Sequence, residues 1–166
     1  RNECGKFLNQ LAERYDTASG PALDAIAARL EALDQEVHAT PDQAEALALR
    51  IRGSLADWDE INQPIQLLEQ LRGHEEGRSR KLAQDLRNLA LWLANEEGRH
   101  EAALTVTEAL LETFPELDQT AAQLREDAKT LRRLVQEGAR LKPLKELERC
   151  CKAVKQDPAE FMRIVR

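Results

Sequence analysis

The apolar positions of this chain are filled almost entirely by leucine and alanine. The sequence has 26 Leu and 24 Ala, against only five Val and five Ile. Leucine and alanine stand near the top of the helix-propensity scale, whereas β-branched residues are enriched in strands. The chain is therefore predicted to be all-α, and the same imbalance disfavours a β-rich or a parallel α/β fold.

Prolines, glycines and the spacing of apolar residues divide the chain into amphipathic segments. Thr40-Pro41-Asp42-Gln43 has the pattern of a helix start, with an N-cap, a proline at the first helical position and a glutamine at the third. Asp157-Pro158-Ala159-Glu160 repeats this pattern, and Gly20-Pro21 and Asn62-Gln63-Pro64 are weaker starts. The predicted helices cover about 3–15, 21–37, 41–58, 64–72, 79–97, 100–114, 117–137, 143–156 and 158–166.

Short links between these segments place consecutive helices antiparallel to each other. We predict seven to nine helices in antiparallel hairpins, forming either an open superhelix or a compact bundle. A length of 166 residues fits a single all-helical domain over 1–166, with a possible subdivision near residues 73–79. The first residue is Arg rather than Met, so we expect the chain to be a part of a longer protein.

Residues 98–115 carry a family resemblance. Gly98 takes the place of an inter-helix glycine, Ala103 that of a small residue where two helices approach, and Pro115 that of a closing proline, with Leu104 and Leu111 at apolar positions. The segment resembles the turn and second helix of a tetratricopeptide repeat. This resemblance covers about one half-repeat and implies a protein-binding scaffold with a concave face. A generic helical hairpin with glycine in its turn is the alternative.

Several residues are predicted to pack in the core. Trp58 and Leu93 continue the apolar stripes of their helices, and Trp92 stands beside the second stripe. The seventh predicted helix has a seam with steps of three and four, which is typical of a buried face. The seam consists of Ala121, Leu124, Ala128, Leu131 and Val135.

Charge is distributed unevenly along the chain. Residues 125–166 hold 12 basic and 7 acidic residues, whereas residues 1–124 hold 12 basic and 23 acidic residues. A set of basic residues on the seventh and eighth predicted helices is a candidate surface for an acidic protein partner, with a solvated helix face as the alternative. The set consists of Lys129, Arg132, Arg133, Arg140, Lys145, Arg149 and Lys152.

No pattern of catalytic, metal-binding or cofactor-binding residues emerges from the sequence. His74-Glu75-Glu76 begins like a zinc-protease motif, but Arg78 occupies the position of the second histidine, and solvated turns account for His38, His74 and His100. The cysteines are Cys4, Cys150 and Cys151, an odd number without metal spacing, which favours packing roles in a reduced, intracellular and cytoplasmic protein. The longest strictly apolar stretch, residues 89–94, is too short to span a bilayer.

These features predict a non-catalytic protein–protein interaction or scaffold module of a larger intracellular protein. One alternative is a binder of anionic ligands, nucleic acid or acidic membrane, through the basic C-terminal helices. A net charge of −6 and six aromatic residues disfavour nucleic acid. A second alternative is the helical part of an enzyme whose active site lies elsewhere. No small-molecule substrate is indicated, and the oligomeric state is left open.

Overall fold

The structure, a computed structural model, describes residues 2–71, 73 and 76–156. Within these residues the chain forms five α-helices, one short 3-10 helix and no strand. The α-helices are α1 (Asn2–Ala39), α2 (Ala44–Leu71), α3 (Gly77–Asn95), α4 (His100–Thr113) and α5 (Asp118–Gln156), with the 3-10 turn Pro41–Gln43 between α1 and α2. The predicted all-α class is confirmed for the described part of the chain.

The predicted number of seven to nine helices is wrong, because three helices continue through prolines. A proline inside a helix removes the hydrogen bond to the carbonyl four residues earlier. In each case the proline and the residue that bears this carbonyl are both exposed, so water can satisfy the carbonyl. These pairs are Thr17 and Pro21 in α1, Glu60 and Pro64 in α2, and Ala139 and Pro143 in α5. The helix predicted over 158–166 and its start at Asp157 lie outside the described residues.

The predicted helix boundary at Thr40 is confirmed, but the predicted N-cap by its side chain is not. Thr40 makes no side-chain cap. Its hydroxyl instead donates a hydrogen bond back to the carbonyl of Glu36 at 2.8 Å, and only its backbone carbonyl accepts from the amide of Gln43, at 3.0 Å. A 3-10 turn, Pro41–Gln43, then precedes α2.

Contacts divide the chain into two compact units, Arg1–Leu131 and Arg132–Arg166. In the first unit α1 packs against α2, α3 against α4, and α2 against α4. Near the start of the two helices Glu45 of α2 pairs with Arg99 at 3.8 Å, and further along both helices Arg52 of α2 pairs with Glu112 of α4 at 2.8 Å. α2 and α4 therefore run in the same direction. The first four helices therefore form two antiparallel hairpins that meet through their second helices. A subdivision near residues 73–79 stays a prediction.

The core of the first unit follows the predicted apolar stripes. Leu93 is fully buried and Trp58 is 2% exposed, so the predicted core positions of these two residues are confirmed. Trp92, beside Leu93, is half-buried. Trp58 does not end its helix, since α2 continues to Leu71. Of the predicted seam, Ala121, Leu124, Ala128 and Leu131 are buried, whereas Val135 is only half-buried.

Gly98 lies in the turn between α3 and α4, as predicted. Its φ of 63° is in the left-handed region that glycine adopts at little cost. The next amide, that of Arg99, donates to the carbonyl of Leu93 at 2.8 Å and closes the end of α3. Ala103, one turn into α4, is fully buried in the unit in which α4 packs on α3. The small side chain there permits a close approach of the two helices.

The second unit contains the part of α5 that follows Leu131, and its described side chains are mostly exposed. Leu141, Leu144 and Leu147 are 49%, 60% and 61% exposed. Helices of the described chain include none whose apolar stretch reaches the length needed to cross a membrane.

Candidate functional site

All seven residues of the predicted basic surface lie on α5, Lys129 in the first unit and the others in the second. Six of the side chains are exposed, and that of Lys145 lies outside the described part of the chain. Lys129, Arg133 and Lys152 are among those that form ion pairs within the helix, and an exposed pair of this kind contributes at most about 0.5 kcal/mol. These pairs are Lys129 with Glu126 at 3.8 Å, Arg133 with Glu137 at 3.9 Å and Lys152 with Glu148 at 2.9 Å. The binding role of this surface stays a prediction.

A groove runs between α1 and α3 in the first unit, where these two helices contact each other much less than the other neighbouring pairs. Its volume is about 820 Å³. Asp16 and Arg78 join the helices at one end, with 2.8 Å between Oδ1 and a guanidinium nitrogen. At the other end the rings of His38 and Trp92 contact each other, with centroids 4.0 Å apart. The lining residues run from Asp24 to His38 on α1 and from Arg78 to Trp92 on α3, so at 1.5 Å per helical residue the α1–α3 groove is about 21 Å long.

The groove has an apolar and aromatic lining. Ala27 and Ala28 form a low wall on α1, Leu82 contributes from α3, and Trp58 reaches the groove from α2. Trp92 lies at one end, so both tryptophans of the chain line the groove. The Nε1 of Trp58 is buried and has no hydrogen-bond partner within the described part of the chain. A buried donor without a partner costs free energy.

Negative charge is concentrated at the centre of the groove. Four carboxylates line it, against two basic residues near one end. Burial raises the pKa of Asp34, the neighbouring His38 lowers it, and the negative charges of Asp85 and Glu31 raise it again, with a net upward shift. His38 Nε2 is 3.8 Å from Asp34 Oδ1. Because Asp85 belongs to α3 and the other two to α1, carboxylates of both walls repel each other across the groove.

A buried polar network fixes the α3 wall on α2. The Glu76 carboxylate caps α3 by accepting from the amides of Arg78 at 2.9 Å and Ser79 at 2.7 Å. The Ser79 hydroxyl accepts from the side-chain amides of Asn62 and Gln66, both at 2.9 Å. Burial raises the pKa of Glu76, but its hydrogen bonds outweigh this effect and hold the pKa below its usual value. These hydrogen bonds fix the position of the first turn of α3 against α2.

The histidines and cysteines do not converge. His38 is exposed, as predicted, but it lies in the last turn of α1 and not in a link between helices, and its ring contacts that of Trp92. His100 is the first residue of α4, and His74 lies outside the described residues. The side chains of all three cysteines lie outside them as well. Among the described residues, no three His, Cys, Asp or Glu side chains are grouped so that they could hold a metal ion.

Sequence reasoning missed the α1–α3 groove, although the α1 wall has a local signal. Glu31 and Asp34 stand one helical turn apart, directly beside the apolar stripe of α1. Their counterpart, Asp85, is about 50 residues further along the chain, so only the packing of the two hairpins brings the three carboxylates together.

Comparison of this chain with protein-family models, with curated proteins and with solved structures found no match. The functional argument therefore depends on the residues of the chain itself.

Proposed function

We propose that this chain is a non-catalytic protein-interaction module that binds a segment of a partner protein in the α1–α3 groove. One observation supports this proposal most directly: carboxylates of both walls meet over an apolar and aromatic floor. A surface with both properties matches an amphipathic segment better than a fully polar or fully apolar one. We also propose that the module serves a larger protein inside the cell.

The chemistry of the groove favours a basic, amphipathic helix as the bound segment. A Lys or Arg side chain placed between Asp34 and Asp85 would relieve the repulsion that contributes to the raised pKa of Asp34. Apolar residues on the same helix face would cover Ala27, Ala28 and Leu82. A helix lying in a groove is a recurrent mode of protein recognition, with anchors at positions i, i+3, i+4 and i+7.

The tetratricopeptide-like interpretation remains part of this proposal. It is supported by the hairpin of α3 and α4, by the left-handed Gly98 in its turn and by the buried Ala103. In that interpretation the groove would belong to the concave, ligand-binding side of a helical array.

The test uses two designed helical peptides with the same leucine pattern, one with lysines and one with glutamates at the polar positions. Both tryptophans line the groove, so intrinsic fluorescence reports its occupancy directly. We expect the lysine peptide to change the fluorescence and to bind by calorimetry, and the glutamate peptide to do neither.

Charge-matched variants locate the binding. Asp34→Asn with Asp85→Asn removes two charges from the groove, whereas Glu60→Gln with Glu97→Gln removes two charges from exposed positions outside it. The first pair should weaken binding of the lysine peptide at least tenfold, and the second pair less than twofold. Equal effects of both pairs would mean that the peptide is attracted by the acidic surface in general, which contradicts a groove site.

A second candidate function is the binding of anionic ligands by the second unit. Residues 132–166 hold ten basic and five acidic residues, and Arg140 and Arg149 are exposed on α5. Binding of labelled duplex DNA or of acidic vesicles, with an affinity that falls steeply as salt is raised, would support this function. Absence of binding at low salt would exclude it.

A further inference from the structure

The leucines exposed on α5 suggest an occupant for the groove. Leu141, Leu144 and Leu147 follow one another at intervals of three residues, and about half or more of each side chain is in contact with solvent. We call these three residues the leucine stripe. Three exposed leucines within two helical turns form an apolar patch of the kind that marks an interaction site. Arg140 and Arg149 flank the leucine stripe, so this helical segment is both amphipathic and basic.

We propose that the leucine stripe of one copy binds in the α1–α3 groove of a second copy. This inference rests on the proposed function, because it names the partner of the same groove. The segment has the chemistry that the groove favours: apolar residues at helical spacing, flanked by arginines.

Charge complementarity between the two units supports a second copy as the partner. Residues 1–131 hold 14 basic and 25 acidic residues, whereas residues 132–166 hold 10 basic and 5 acidic residues. The first unit therefore has a net charge of −11 and the second a net charge of +5. Opposite charges on the two surfaces steer association and suppress the pairing of like surfaces.

The dimensions of the two surfaces also correspond. The part of α5 in the second unit runs from Arg132 to Gln156 and is about 37 Å long at 1.5 Å per residue. The α1–α3 groove is about 21 Å long. The stretch from Arg140 to Arg149 that carries the leucine stripe is about 14 Å long, so it fits within the groove.

Groove and leucine stripe are different surfaces, so the contact between two copies is heterologous. Such a contact either closes when two copies exchange segments reciprocally or continues from copy to copy. In both cases each copy contributes one groove and one stripe. A variant defective in one surface still carries the other, which allows a complementation experiment with the full chain.

The experiment compares a groove variant, Asp34→Asn with Asp85→Asn, and a stripe variant, Leu144→Ser with Leu147→Ser. Sedimentation equilibrium should show self-association of the unchanged chain and about the single-chain mass of 18.8 kDa for each variant alone. An equal mixture of the two variants should form one complex of twice that mass, joined by the one intact groove and the one intact stripe. Tryptophan fluorescence should change on mixing, because the intact groove becomes occupied.

Controls separate binding from folding. Circular dichroism should give the same helical content for all variants. Arg140→Glu with Arg149→Glu changes only exposed residues of α5 and should weaken self-association at least tenfold, with a smaller effect at high salt. Leu49→Ser removes an exposed leucine of α2 that does not line the groove, and it should leave association unchanged.

Three outcomes overturn the inference. A chain that keeps the single-chain mass at every concentration has no second copy as its partner, even if the designed lysine peptide still occupies the groove. Association that survives in the groove variant, or variants that fail to associate when mixed, would place the contact elsewhere. If the unchanged chain does not bind the designed lysine peptide, in contrast, the proposed function itself is contradicted.

Discussion

Replacing Glu76 by glutamine tests how the first turn of α3 is held. The carboxylate accepts from the amides of Arg78 and Ser79 with separate oxygens, whereas a glutamine side chain has a single acceptor oxygen and no charge. Loss of an N-cap costs about 0.5–2 kcal/mol, and loss of a negative charge at a helix N-terminus costs about 0.3–1 kcal/mol. Because glutamine keeps one of the two hydrogen bonds, we expect Glu76→Gln to lower the free energy of unfolding by about 1–2 kcal/mol at neutral pH.

The effect of this substitution should depend on pH. The pKa of Glu76 in the folded chain lies below the unfolded value of 4.5, so its stabilisation is complete above that value. It is lost as the pH falls through the folded pKa, where the carboxylate becomes protonated. The difference between the unchanged chain and the variant should therefore shrink in acid.

Urea unfolding followed by circular dichroism, at neutral and at acidic pH, measures this difference. Glu97→Gln, at an exposed position of the turn after α3, is the matched control and should have little effect at either pH. A loss for Glu76→Gln that is the same at both pH values, or no greater than that of Glu97→Gln, would refute the capping argument.

Three further predictions concern packing, backbone and charge. Ala103→Leu should lower the free energy of unfolding by about 1–3 kcal/mol through overpacking between α3 and α4, whereas Ala122→Leu at an exposed position of α5 should change it little. Pro21→Ala should raise it by about 1–3 kcal/mol in the same urea assay, because the new amide can donate to the carbonyl of Thr17 inside α1. Asp34→Asn should slightly raise the free energy of unfolding at neutral pH and weaken peptide binding. Because the raised pKa of Asp34 favours its protonated form in the folded chain, this gain in stability should disappear as the pH falls. A gain that persists in acid would contradict this account of Asp34.

The local features of the fold could be predicted because they depend on residues close together in the sequence. Apolar residues at steps of three and four identified the buried faces that include Leu93 and Leu124. Gly98 identified a turn because only glycine adopts its backbone conformation at low cost. The number of helices was wrong because each proline was taken as a helix start, whereas a proline such as Pro64 lies within a helix when it and the carbonyl four residues earlier are both on the exposed face.

The candidate site could not be predicted for a different reason. Asp34 and Asp85 are ordinary acidic residues in the pattern of their own helices, and nothing in the local sequence connects them. They face each other because α3 and α4 pack on the α1–α2 hairpin through α4, which leaves α1 and α3 apart. The groove is thus a property of tertiary packing, whereas the basic residues of α5 could be identified from a single segment.

The arrangement of the two hairpins bears on the order in which the chain folds. α1 and α2 are joined by residues 40–43, and α3 and α4 by residues 96–99, so each hairpin forms after the closure of a short loop. The contact between α2 and α4 joins residues as far apart as Arg52 and Glu112, which lie 60 positions from each other. We expect the hairpins to form first and their docking through α2 and α4 to be the slower step. Until that docking, the two walls of the α1–α3 groove belong to separate hairpins, so the groove is among the last features of the first unit to form.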